Sequence, residues 1–125
     1  NRKAKGKLAE TQAKIDELSI KQRFLAEKIR AEVTAIGIEV ETANQLVDTT
    51  ERERTLAERL ASAERRRFEL GSSDFFLVNQ REESATNAAM KLIEARARIA
   101  AARAELAAAT ADEDALGLTA APTLP

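Results

Sequence analysis

The sequence predicts an all-α protein folded as a long antiparallel coiled-coil helical hairpin. Three observations predict it. Ala, Glu, Arg and Leu dominate a chain in which 33% of residues are charged and only 4, all Phe, are aromatic; that is the profile of long exposed helices rather than of a layered core. Apolar residues recur at threes, fours and sevens both before and after residue 70. Between those two patterns lies Leu70-Gly71-Ser72-Ser73-Asp74, a concentration of turn chemistry too strong for a simple kink in a continuing helix.

Composition also excludes several classes of chemistry. The chain has no Cys and no His, which removes disulfide staples, thiolate metal sites, the commonest metal ligand and the commonest general base. A net charge of −1 gives no global pull toward nucleic acid or an anionic membrane. No apolar run approaches the roughly eighteen residues needed to span a bilayer. A length of 125 residues allows one domain. The opening Asn1-Arg2-Lys3, without Met or a signal sequence, is what a piece of a longer protein would show.

Taken in order, residues 1–7 are a basic lead-in, expected to be a solvated helix start that frays at Gly6. A long helix follows over 8–70. Its stripe begins with Leu8, Ile15, Leu18, Leu25 and Ile29, with Gln22 filling one seam position. It continues through Val33, Ile36, Val40, Ala43 and Val47, crosses a polar interval over 48–55, and resumes at Leu56, Leu60 and Ala63. No Pro interrupts 2–70, so a helix of roughly 100 Å is possible at about 1.5 Å per residue. Gly37 inside it costs about 1 kcal/mol relative to Ala; close approach of another backbone is the expected reason, with a hinge as the alternative.

The tip occupies 71–74. Gly71 supplies the positive φ that closes a helix, and Asp74 is the favoured N-cap of the next one because its carboxylate sits at the positive end of the new dipole. Phe68, Leu70, Phe75 and Phe76 flank the break as a candidate apolar plug. A shorter Ala-rich helix runs over 75–111. Its seam is regular: Val78, Ala85, Leu92, Ile99 and Leu106 at sevens, with Arg81, Ala88, Ala95, Ala102 and Ala109 three residues on from each. Four alanines in one register let a partner helix approach closely. Residues 112–125, with Gly117, Pro122 and Pro125, are expected to be a flexible tail.

The unequal helix lengths are informative. Folding back at Gly71 sets Leu60 near Ala85, Leu46 near Ile99 and Val40 near Leu106. Leu8, Ile15, Leu18, Leu25 and Ile29 then have no partner in this chain. An isolated amphipathic helix is marginal in water, so another helix is expected to cover them.

Little here points to catalysis. Arg65-Arg66-Arg67 lies between Glu64 and Glu69 and points in several directions around a helix, which favours solvated ion pairs over a nucleic-acid patch. The carboxylates lack any pocket signal, and no Walker loop, dinucleotide turn or nucleophile elbow occurs. The expected functional surface is instead the tip: Leu70, Gly71, Ser72, Ser73 and Asp74. Helix-end N–H and C=O groups there are open to a partner's polar residues; the alternative is that these residues only cap and turn the chain. No cofactor or metal is expected.

The run Arg65-Arg66-Arg67-Phe68-Glu69-Leu70-Gly71-Ser72-Ser73-Asp74-Phe75-Phe76-Leu77-Val78, set between a long charged helix and an Ala-rich one, resembles the C-terminal portion of TolC-type outer-membrane efflux and secretion channels. Arg67, Phe68, Gly71, Phe75, Phe76 and Val78 fall on that family's tip pattern. Asp74 stands where the family usually has Ser or Thr, and Leu77 and Asn79 depart from it. Arg2 to Glu10 looks like the point where the family's chain leaves a membrane β-strand. The resemblance covers roughly residues 2–112.

It implies that the chain is one half of a periplasmic α-barrel repeat in a homotrimer whose twelve helices form a tunnel. It also implies a tip that docks a periplasmic adaptor protein, export driven by an inner-membrane pump, and residence at the outer membrane with this segment in the periplasm. Membrane contact would come only through segments outside this sequence. Two rivals remain open: the coiled-coil hairpin of a periplasmic adaptor, normally flanked by β segments of which none occurs here, and a structural scaffold without a transport role.

Overall fold

The computed structural model describes residues 2–112. Two helices account for nearly all of them: α1, Arg2–Glu69, of 68 residues, and α2, Phe75–Thr110, of 36. No strand occurs among the described residues. The chain divides into two compact units, Asn1–Ala35 and Ile36–Pro125.

In the first unit the expected boundary shifts. α1 begins at Arg2, so the lead-in is helical and Gly6 does not break it. Gly costs a helix about 1 kcal/mol, too little to undo neighbouring Lys and Ala residues that favour it. Local pairs add small support: Lys21 Nζ lies 2.6 Å from Glu17, and Lys28 Nζ 3.9 Å from Glu32, each exposed and worth about 0.3–0.5 kcal/mol. All described residues up to Glu32 are exposed, including the stripe from Leu8 to Ile29.

The second unit is the hairpin, two helices packed antiparallel. Arg65 meets Glu82 at 2.9 Å, Lys91 meets Glu53 at 2.7 Å, Arg96 meets Glu51 at 3.2 Å and Arg103 donates to Asn44 at 3.1 Å. Numbers rise on one helix as they fall on the other, in the register that sets Leu60 near Ala85. These exposed pairs are individually weak; the buried seam between them supplies most of the stabilisation. On α2 that seam is Val78, Ala88, Leu92, Ala95, Ile99 and Ala102. Ala85 and Leu106 are only half-buried, and at the end of the helix Ala107 is buried while Ala109 is exposed.

On α1 the seam differs from the expectation beyond Val47. It does not resume at Leu56, Leu60 and Ala63, which are exposed (60% for Leu56, 51% for Leu60). The three-and-four spacing of Val40, Ala43 and Val47 instead carries on through Thr50, Arg54, Ala57, Ala61 and Glu64, of which Thr50, Ala61 and Glu64 are buried and the other two half-buried. A helix cannot change its facing residues without leaving the seam, so small and polar residues in register are buried ahead of larger ones out of register. Thr50 is accommodated because its hydroxyl donates to the Leu46 carbonyl at 2.8 Å.

Gly37 also departs from expectation. A Cβ built there meets no atom within 4 Å, so no backbone approaches it among the described residues.

Candidate functional site

The tip is formed by two helix ends, several of whose orphan backbone groups are satisfied locally. α1 closes at Glu69, one residue earlier than expected, and Leu70 enters the turn. Gly71 sits at φ 72°, the left-handed region glycine enters without a Cβ penalty. Its N–H donates to the Phe68 carbonyl at 2.9 Å, and the Ser72 N–H donates to the Arg67 carbonyl at 2.8 Å, the double bond pattern of a Schellman C-cap. That motif is often completed by an apolar contact. Here Ser72 and Arg67 complete it with polar groups: Ser72 Oγ donates to the Arg67 carbonyl at 3.0 Å, and Arg67 Nη2 donates to the Ser72 carbonyl at 3.3 Å. Ser72 is therefore not idle, although Asp74 is the N-cap.

Asp74 has extended backbone and its Oδ1 accepts from the Leu77 N–H at 2.8 Å. Such a cap is worth about 1 kcal/mol. Ser73 does a third job. Its hydroxyl donates to Glu64 Oε1, and the same oxygen lies 3.5 Å from Arg67 Nη1. Glu64 is only 7% exposed, and a carboxylate in that position requires such partners. In the sequence Glu64 stands out only as a neighbour of the arginines. Its signal was the seven-residue series Ala43, Thr50, Ala57, Glu64, visible only once the seam is followed through its polar members.

The polar side chains of the tip are thus committed to the hairpin itself, and its apolar side chains are not. Leu70 is 82% exposed and Phe76 73%. The expected four-residue plug is only partly formed: the Phe68 and Phe75 rings approach at 6.4 Å between centroids, while Leu70 and Phe76 remain outward. Arg65 and Arg67 are ion-paired, and Arg66 reaches Ser62 Oγ at 3.5 Å. Below the tip an open cleft of about 440 Å³ is lined by Glu58, Arg65, Glu82, Ala85, Thr86 and Ala89. Its carboxylates are already paired, Glu58 with Arg54 and Glu82 with Arg65. Among the described residues no group of three His, Cys, Asp or Glu side chains could hold a metal ion, and no helix is long and apolar enough to cross a membrane.

Fold and tip together define a two-helix hairpin with a self-capped turn and exposed apolar side chains at its end. No family model, no curated protein and no solved structure compared with the chain matches it.

Proposed function

We propose that this chain is part of the tunnel wall of a TolC-type outer-membrane channel for efflux or secretion. It would supply the long helix, the tip and the tip-side helix of one α-barrel repeat. The observation that carries this reading is that α2 has two apolar faces. One is the seam buried against α1. The other comprises Met90, Ile93, Ala97, Ala100 and Ala104, all exposed in this chain. At about 100° per residue the centres of the two faces lie roughly 150° apart around the helix. A helix with a single partner needs one apolar stripe. A wall helix in a closed ring has a neighbour on each side, and in a ring of twelve those neighbours also lie roughly 150° apart.

The same reading accounts for the uncovered stripe from Leu8 to Ile29, which would meet a further wall helix. The partners it brings are two other copies of the parent protein, a periplasmic adaptor at the tip and an inner-membrane pump. The chain would act as a conduit in the periplasm, without catalysis or cofactor. An adaptor hairpin, which pairs just two helices, would leave the second face of α2 without a role.

Leu70 makes the decisive tip variant, because only its backbone takes part in the turn, through an N–H bond to the Arg66 carbonyl at 3.1 Å. In the parent protein Leu70→Arg is expected to preserve trimers while reducing adaptor crosslinking and export. Full export from an assembled Leu70→Arg trimer would refute docking at the tip.

A further inference from the structure

The apolar stripe of the first unit has an electrostatic edge. Lys7, Lys14, Lys21 and Lys28 are spaced by seven, the period of Leu8, Ile15 and Ile29. Stripe and lysines therefore precess together by about 20° per heptad, and the lysines stay on one edge, roughly 80° from the stripe's centre. The opposite edge is uncharged at Gln12, Ser19 and Ala26. Lys21 and Lys28 hold only exposed pairs within their own helix, and Lys7 and Lys14 make no ion pair among the described residues.

We propose that this stripe binds an amphipathic helix from outside this sequence, one that carries Asp or Glu at seven-residue spacing along the edge facing the lysines. The hairpin uses the same chemistry in its own seam, where Lys91, Arg96 and Arg98 of α2 meet Glu53, Glu51 and Glu39 of α1. A second copy is the wrong occupant. Antiparallel pairing brings lysine rows together, and parallel pairing sets them against Gln12, Ser19 and Ala26, which offer no counter-charge. Residues 113–125 are fewer than the stripe from Leu8 to Ile29 requires. The inference needs only the stripe and its lysine edge, and it stands independently of the channel reading.

The test uses two synthetic four-heptad peptides with identical Leu cores, one with Glu along both edges of the core and one with Lys. Either orientation then faces the lysines. Each is titrated against the whole 125-residue chain by fluorescence anisotropy at low salt. The Glu peptide is expected to bind about tenfold more tightly, the combined effect of four exposed pairs, with the preference fading at high salt. A Lys7→Glu/Lys14→Glu/Lys21→Glu/Lys28→Glu variant should reverse it. A Leu18→Asp/Leu25→Asp variant with unchanged hairpin helicity should bind neither peptide. Equal affinities, binding of neither peptide by the unmodified chain, or a dimer of the chain that Leu18→Asp/Leu25→Asp abolishes would each overturn the proposal.

Discussion

Replacing Ala95 and Ala102 by Leu should force the two helices of the hairpin apart. Ala95 is 2% exposed and Ala102 4%. In the register that sets Leu60 near Ala85, Ala102 lies level with Ala43, itself 0% exposed. Small residue meets small residue there, which lets the helices approach closely. Each Leu adds three carbon atoms to a layer without room for them, at a cost of about 1–3 kcal/mol. The two sites lie about 10 Å apart along the helix, far enough for their effects to add, so the double variant should lose roughly 2–6 kcal/mol. Ser84→Leu and Glu94→Leu, on exposed positions, should each stay within about 0.5 kcal/mol. Urea unfolding followed by circular dichroism measures all four. Equal losses for the buried and exposed sets would show that the alanine register is not the contact.

The Glu64–Ser73 bond is testable by a double-mutant cycle: Glu64→Ala should cost about 2 kcal/mol by removing a charged acceptor, with a coupling to Ser73→Ala of about 1 kcal/mol. Strict additivity would mean the bond contributes nothing. Gly37→Ala should raise the stability of the chain by about 1 kcal/mol, since the added Cβ meets open space; a loss of stability would reveal a neighbour at that position.

The hairpin was legible because its signals are local. Gly71 and Asp74 have few alternative uses, and Leu92, Ile99 and their alanine companions mark α2's buried face at an unbroken period. α1 was harder to read beyond Val47 because hydrophobicity and register part company there. Leu56 and Leu60 attract attention as seam residues, yet Thr50, Ala57 and Glu64 hold the phase that packing requires. The Glu64–Ser73–Arg67 cluster was hidden for a related reason. A charged residue can be buried only through partners that the turn brings together, and that turn geometry is not contained in spacing. Ser72 shows the same limit, as its side-chain bond to the Arg67 carbonyl follows from the Schellman closure and not from any spacing in the sequence.

The central claim, that α2 is a wall helix with a neighbour on each side, is tested most directly by thiol accessibility in the assembled parent protein. Ile93→Cys lies on the second apolar face, and Ser84→Cys lies on a polar flank. A maleimide probe should label Ser84→Cys quickly and Ile93→Cys slowly, with the difference vanishing once the assembly is dissociated. Equally rapid labelling of both in the intact assembly would contradict the account, because the face of Met90, Ile93 and Ala97 would then cover nothing.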